Sequence, residues 1–309
     1  MEKIILLKKE AVYGQDAAPT PAANAVLTRQ FSARPIETDT LERNLDAHTR
    51  GRRRSANTNR RQTFSFELEL AGAGAAGSAA PWMEVLEGCG MAAPVLTAGS
   101  KAEQRFAGAG VALSALTAHH WVQGERSRST GCRGSMGLTF TAGAYPFLRL
   151  QFTGMPTTPA VDGTAPATAP DLVRWKEPVE VNTANTDFLL DGHALALREL
   201  TIDDGAQISV RNLVGENSIA RGDHACTVRI RGTAPALGSK NFYSTLDSGA
   251  EVPMELVHGV TSGGMVGIRA SYLQILGIQR VEQDDKLELD ISAALNIRAG
   301  SDDLMLTAA

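Results

Sequence analysis

Aromatic side chains are scarce in this 309-residue sequence: Phe, Trp and Tyr together make up 5 %. Stacking platforms for single-stranded nucleic acid need such rings, so recognition of that kind is not expected. Long apolar runs are missing too. No window approaches the ~18 consecutive apolar residues of a membrane span. Ile4-Ile5-Leu6-Leu7 is cut off by Lys8 and Lys9, short of the roughly 7 residues of a signal-peptide core. No membrane association is expected. The three cysteines, Cys89, Cys132 and Cys226, are odd in number and form no CxxC pair. They exclude a disulfide framework and favour folding in a reducing cytosol. No GxSxG elbow occurs, nor any serine or cysteine in a comparable setting. The sequence thus offers no catalytic residue, no cofactor site and no metal site. A strong positive excess is absent as well. The 30 Lys+Arg stand against 34 Asp+Glu, which does not suit a nucleic-acid binder overall.

What is present is enough apolar residue for a core. Apolar types make up 43 % and charged types 21 %, and the length suits two domains or one large β domain. Alternation dominates the pattern. Phe64, Phe66, Leu68 and Leu70 alternate with Ser65, Glu67 and Glu69, and Leu148, Leu150 and Phe152 with Arg149 and Gln151. Val228 and Ile230 alternate with Arg229 and Arg231, and Leu287, Leu289 and Ile291 with Glu288 and Asp290. A period of two marks half-buried strands of antiparallel sheets with one wet face. Helical signals are limited to residues 81–88, with Pro81 in the first turn and Gly88 near the exit, and residues 240–249. The expectation is a mainly β protein whose two short helices pack against a sheet.

Residues 155–170 are rich in Pro, Thr and Ala without periodicity and read as a linker. They divide the chain into a first β domain over residues 1–155, a linker over 156–170 and a second β domain over 171–309. Features recur in order across that divide. Each half opens with a strand (25–37; 194–203) and reaches Arg-Asn-Leu, at Arg43-Asn44-Leu45 and Arg211-Asn212-Leu213. A loop, an alternating strand from Phe64 or Cys226, a short helix and a last strand at Leu148 or Leu287 then follow. That order points to a duplication. Charge is polarised: residues 1–160 carry 18 Lys+Arg against 13 Asp+Glu, and residues 161–309 carry 12 against 21. Such polarity suits head-to-tail contacts or a charged partner.

Gly72-Ala73-Gly74-Ala75-Ala76-Gly77 matches GxGxxG between a strand and a helix, the setting of a dinucleotide fingerprint. The preceding strand has a polar face, however, and the helix is too short for a βαβ crossover. A flexible or closely packed connector is expected instead. Arg50, Arg52, Arg53 and Arg54, with Arg60 and Arg61, form the densest charge cluster. It lies between two strands and fits a basic hairpin that docks on an acidic protein surface. His224 and Cys226 share one strand face, but two ligands do not make a metal site. Asp203-Asp204, Asp284-Asp285 and Asp302-Asp303 fall in predicted turns. Arg221-Gly222-Asp223, an adhesion-type tripeptide, begins a strand and is set aside.

Several stretches, taken in order, carry a family resemblance. They are Lys9-Glu10-Ala11-Val12-Tyr13-Gly14; Asn24-Ala25-Val26-Leu27-Thr28-Arg29; Phe64 to Leu70, through Gly72 and Gly74, into Pro81-Trp82 and Gly88-Cys89-Gly90; Pro178-Val179-Glu180-Val181-Asn182; and Arg211-Asn212-Leu213-Val214-Gly215-Glu216. Spanning most of residues 9–290, the chain resembles the major tail tube proteins of long-tailed bacteriophages with non-contractile, siphophage-type tails. The resemblance implies two tandem antiparallel β-sandwich or barrel domains, each with a short flanking α-helix, assembled into stacked rings around a channel for DNA. A ring of six such domains needs three two-domain chains with pseudo-sixfold symmetry, six chains being the alternative. The implied role is that of a structural virion protein and not an enzyme, in the tail and, during assembly, in the host cytoplasm. Its implied partners are further copies of itself within and between rings, tape-measure, tail-tip and tail-terminator proteins, and double-stranded DNA in transient, non-specific passage. Arg50, Arg52, Arg53, Arg54, Arg60 and Arg61 become expected inter-ring or inter-subunit contacts. Two other readings stay open: a soluble β-sandwich module that binds a ligand or protein, and a nucleotide-dependent enzyme using the loop at Gly72 to Gly77.

Overall fold

A computed structural model describes residues 3–309 apart from 44, 47, 49, 50, 162–165, 167 and 284, with the backbone alone at 160 and 161. Strands make up 52 % of the chain and helices 7 %, so the mainly β expectation holds. The first half opens with β1 (Lys3–Lys9), α1 (Pro21–Asn24), β2 (Ala25–Val26) and a long hairpin of β3 (Arg29–Leu41) and β4 (Ala56–Glu69). Helix α2 (Pro81–Leu86) follows, then β5 (Val95–Thr97), β6 (Lys101–Arg105), β7 (Leu116–Val122), β8 (Glu125–Thr141), β9 (Phe147–Pro156) and β10 (Ala160–Val161). The second half runs through β11 (Thr186–Leu190), β12 (His193–Ala194), β13 (Leu197–Asp203), β14 (Ile208–Leu213), β15 (Glu216–Arg221) and β16 (Thr227–Thr233). It ends with α3 (Phe242–Ser248), β17 (Glu251–His258), β18 (Val266–Gln283), β19 (Lys286–Leu295) and β20 (Met305–Ala308).

The strand order of one half recurs in the other. Neighbours in the first half run β3–β4–β9–β8–β7–β1–β2. In the second they run β13–β16–β19–β18–β17–β11–β12. Each pairing is antiparallel. A bulge sits at the same place in both copies, between Leu116 and Ala118 and between Val252 and Met254. The segment expected to be an irregular linker contains β10, which pairs with the start of β8 as β20 pairs with the start of β18.

Alternation explains the core. Phe64 and Phe66 point to one side of β4 and stack on Phe152 of β9, with ring centroids 5.3 and 6.0 Å away. Val228, Ile230 and Ala293 fill the matching positions in the second half, all buried. Helix α2 starts at Pro81, whose missing N–H costs nothing in a first turn. It buries Trp82, whose Nε1 donates to Ala71 O (2.8 Å). Helix α3 is capped by Asn241, which accepts from the N–H groups of Tyr243 and Ser244, and stops at Gly249 with φ 64°.

The halves share sheet and core. β13 pairs with the C-terminal part of β8 from Thr141↔Glu199 to Gly137↔Asp203. β20 pairs on one side with β18 and on the other with β6 of the first half. The glycine-rich loop also sits at this junction. Gly74 N donates to Gly263 O (2.7 Å), and a Cβ on Gly72 would lie 2.3 Å from the same oxygen. Its glycines allow two backbones to touch, which is the closely packed connector of the sequence reading.

His120 on β7 is 1 % exposed and sits against Phe31, ring centroids 5.3 Å apart. Burial pushes its pKa from 6.5 down to about 4, His119 adding a smaller push. Above pH 6.5 the ring is neutral in both states. Between pH 6.5 and 4 the unfolded chain takes up a proton that the folded chain refuses, so stability falls with pH. The loss reaches roughly 3 kcal/mol near pH 4. Urea denaturation between pH 7 and 4 is expected to show this decline, and His120→Gln to flatten it. Equal pH slopes for the two proteins would contradict a neutral buried ring.

Candidate assembly surfaces

Two hairpins leave the sheet at corresponding places. β3 and β4 pair from Arg29↔Glu67 to Leu41↔Ala56, whereas β4 gains its second partner, β9, only from Gln62 onward. Residues 35–41 and 56–61 therefore form a two-stranded ribbon beyond the sheet, an element of marginal stability alone. Polar contacts across the ribbon hold it. Arg61 Nη1 donates to Asp39 Oδ1 (2.9 Å), Asn59 Nδ2 to Asp39 Oδ2 (2.9 Å) and Thr63 Oγ1 to Glu37 Oε2 (2.9 Å). The Arg34 guanidinium, 2.8 Å from Glu37, lowers that carboxyl's pKa, and Asn59 with Arg61 lowers that of Asp39.

The arginines singled out in the sequence fall into two groups. Arg61 is engaged within the ribbon, and Arg60 donates to Thr158 Oγ1 (3.0 Å). Arg52, Arg53 and Arg54 are exposed along the loop, Arg52 lying 3.8 Å from the exposed Glu42. Arg50 lies outside the described residues. Beside this basic loop Leu41 and Leu45 are 61 % and 55 % exposed. A projecting arm with cationic and apolar side chains at its end has the chemistry of a protein-docking element.

The second hairpin, β14 with β15, folds back onto the first half. Ile219 is fully buried. Its N–H donates to Tyr13 OH (2.6 Å), and Arg133 Nη1 donates to its carbonyl (2.9 Å) with the guanidinium 4.8 Å from the Tyr13 ring centre. Burial raises the Tyr13 hydroxyl's pKa. Asn212 Nδ2 donates to Asn59 Oδ1 (3.2 Å) and so ties the two hairpins together. Leu213 and Val214 are exposed at the turn. The repeated Arg-Asn-Leu begins close to the outer end of each hairpin, although Asn44 lies outside the described residues.

At the base of this hairpin Arg221 Nη2 lies 2.7 Å from Asp204 Oδ2, the two side chains 2 % and 0 % exposed. Arg221 Nε also donates to Gly134 O (3.1 Å). Burial raises the Asp204 pKa, and Arg221 opposes that rise. Tyr13, Arg133, Asp204 and Arg221 were not singled out as site residues from the sequence. The turn reading of the aspartate pairs describes Asp203 and Asp302, whose carboxylates accept backbone N–H groups. Asp204 accepts one as well, from Ala206 N (3.2 Å), but it and Asp303 are also buried, which the turn reading does not anticipate. Asp303 Oδ2 lies 2.9 Å from His224 Nε2 and accepts from Cys226 Sγ (3.9 Å). Among the described residues no three His, Cys, Asp or Glu side chains are grouped to hold a metal ion, and no helix is long and apolar enough to cross a membrane.

Removing the Arg221 guanidinium leaves a buried carboxylate without its counter-charge, a change that costs about 3–5 kcal/mol. Arg221→Met is therefore expected to lower unfolding free energy by that order. Adding Asp204→Asn should recover part of the loss in urea titrations. A double variant no more stable than Arg221→Met would contradict the uncompensated-charge account.

Against known proteins, a family model described as phage tail tube protein matches residues 2–299. No curated protein matches the chain.

Proposed function

The chain belongs to the phage tail tube protein family, and we propose that three copies close each ring of the tube, every chain supplying two of six wall units. Membership makes it a structural protein of the virion tail, one that self-assembles into a tube and associates with other tail components. The observation that supports the three-chain count is the recurrence of a seven-strand order within one chain. On this reading the chain holds two tandem tube domains, residues 1–155 and 171–309, and its role is mechanical, with no catalysis. The tail is of the non-contractile kind, and the tube's partners are tape-measure, tail-tip and tail-terminator proteins.

Double-stranded DNA passes through the channel during ejection. Lys and Arg on a lumen wall would grip phosphates with salt-dependent affinity, whereas carboxylates repel them and let the duplex slide. The acidic balance of residues 161–309 is compatible with such a wall. The arm at residues 35–61 reaches the next ring, where Arg52, Arg53 and Arg54, together with Arg50, meet acidic surface of a neighbouring copy. Exposed arginines on a loop carried by a marginal ribbon become ordered when docked.

Electron microscopy of the purified protein tests both parts. Unmodified protein is expected to form rings and tubes. Arg52→Ala, Arg53→Ala and Arg54→Ala combined should shorten the tubes several-fold or abolish them, while the ribbon contacts of Arg61 stay in place. Tubes of normal length in the triple variant would refute the docking role, and a protein that remains single at high concentration would refute the tube.

A further inference from the structure

One joint of the proposed ring already exists inside each chain. β8 carries β9 along one edge. Along its other edge it carries first β7, up to Cys132, and then β13 over residues 137–141. β18 holds the equivalent place in the second half. β19 lines one of its edges as far as Gln283, but β17 lines the other only as far as Gln274. Residues 278–283 of β18 have no strand along that second edge among the described residues. Neither has β3, the counterpart of β13, along its edge away from β4. We propose that these two open edges pair with each other between neighbouring copies, β18 of one chain against β3 of the next, repeating the β8–β13 ladder. The proposal rests on the ring reading above and adds to it a pair of strands and a register.

The register follows from the internal copy. The bulge shared by the two copies aligns Cys132 with Leu273. Two residues further on, Gly134 faces Phe152, which also faces Phe64, and Ile275 faces Ala293, which also faces Val228, so these residues correspond. Ala33 opposite Phe64 then matches Ile202 opposite Val228, which sets Ser32 in the place of Thr201. The β18–β19 ladder holds one extra residue between Ile275 and Gly277. Past it, Val281 faces Glu288 where Thr139 faces Phe147. The internal pair Thr139↔Thr201 thus becomes Val281↔Ser32 between chains, and Gly137↔Asp203 becomes Gln279↔Arg34.

The side chains of the two joints differ in a way that suits their timing. On the core side of the internal ladder, Leu138 and Phe140 are buried. Their counterparts are the exposed Arg280 and Glu282, Arg280 Nε donating to Tyr243 OH (2.8 Å). Charges on an open edge discourage indiscriminate pairing. The internal joint therefore forms on folding, and the external one waits for a partner edge of the right length and register.

Cysteine cross-linking in the full chain tests this. The native cysteines are buried and do not compete. Thr139→Cys with Thr201→Cys serves as the internal control and should close within one chain. Ser32→Cys with Val281→Cys should give two-chain and three-chain species on non-reducing gels of assembled protein, the ladder ending at three. Rings seen by microscopy in the Ser32→Cys, Val281→Cys variant, with single chains on the gel, would overturn the pairing while leaving the ring reading intact. So would Ser32→Cys linking to Gln279→Cys or Gln283→Cys in place of Val281→Cys. Absence of any ring from the unmodified protein would remove the ring reading and this joint together.

Discussion

An edge strand presents a row of backbone N–H and C=O groups that need partners, and the ladder between β8 and β13 meets that need across the two halves. Its five residue pairs bring the second half onto an edge that β7 leaves uncovered. Because β13 sits there, β14 and β15 are carried over the first half, where Ile219 becomes buried beside Tyr13 and Arg133. Moving this ladder would displace both hairpins at once. Among the described residues the same geometry leaves β3 without a strand along its edge away from β4, and β18 without one beyond Gln274 on the β17 side.

Around that ladder the junction is locked by contacts with little tolerance. Gly72 lies against Gly263 and Gly264, and Gly263 against Gly74 and Ala75, with no room for a Cβ at Gly72 or Gly263. Arg221 and Asp204 form a buried pair whose members cannot be separated cheaply. The strand β20 bridges β18 to β6, so the end of the chain stitches the second half to the first. A wall unit that must keep its shape needs rigidity within the chain and adaptability at its outer surfaces. The arm supplies the adaptability: its ribbon rests on exposed polar contacts that contribute little to stability.

Much of this was legible in the sequence where the signal is local. Period-two runs at Phe64, Leu148, Val228 and Leu287 mark four strands that the structure contains, because burial of one sheet face imposes that period. Pro81 opens one helix and Gly249 closes the other for reasons of backbone geometry, whereas Gly88 lies inside a 3-10 turn over Glu87–Cys89 and the left-handed exit is Gly90, with φ 81°. Arg52, Arg53 and Arg54 fell on an exposed loop, but Arg61 and Arg60 proved to be engaged close to the ribbon, since their reach depends on the cross-strand register. Pairing between β8 and β13 joins residues about 60 positions apart and leaves no periodic trace. The buried Asp204 was hidden because one of its oxygens serves the turn the pair suggested while the other faces Arg221. Gly72 to Gly77 resembled a phosphate loop because close backbone contact and phosphate cradling ask for the same residue.

Native mass spectrometry of a single ring released from assembled tubes tests the three-chain wall most directly. Three chains of 32.7 kDa predict a closed species of about 98 kDa. A closed ring of six chains, near twice that mass, would contradict two wall units per chain.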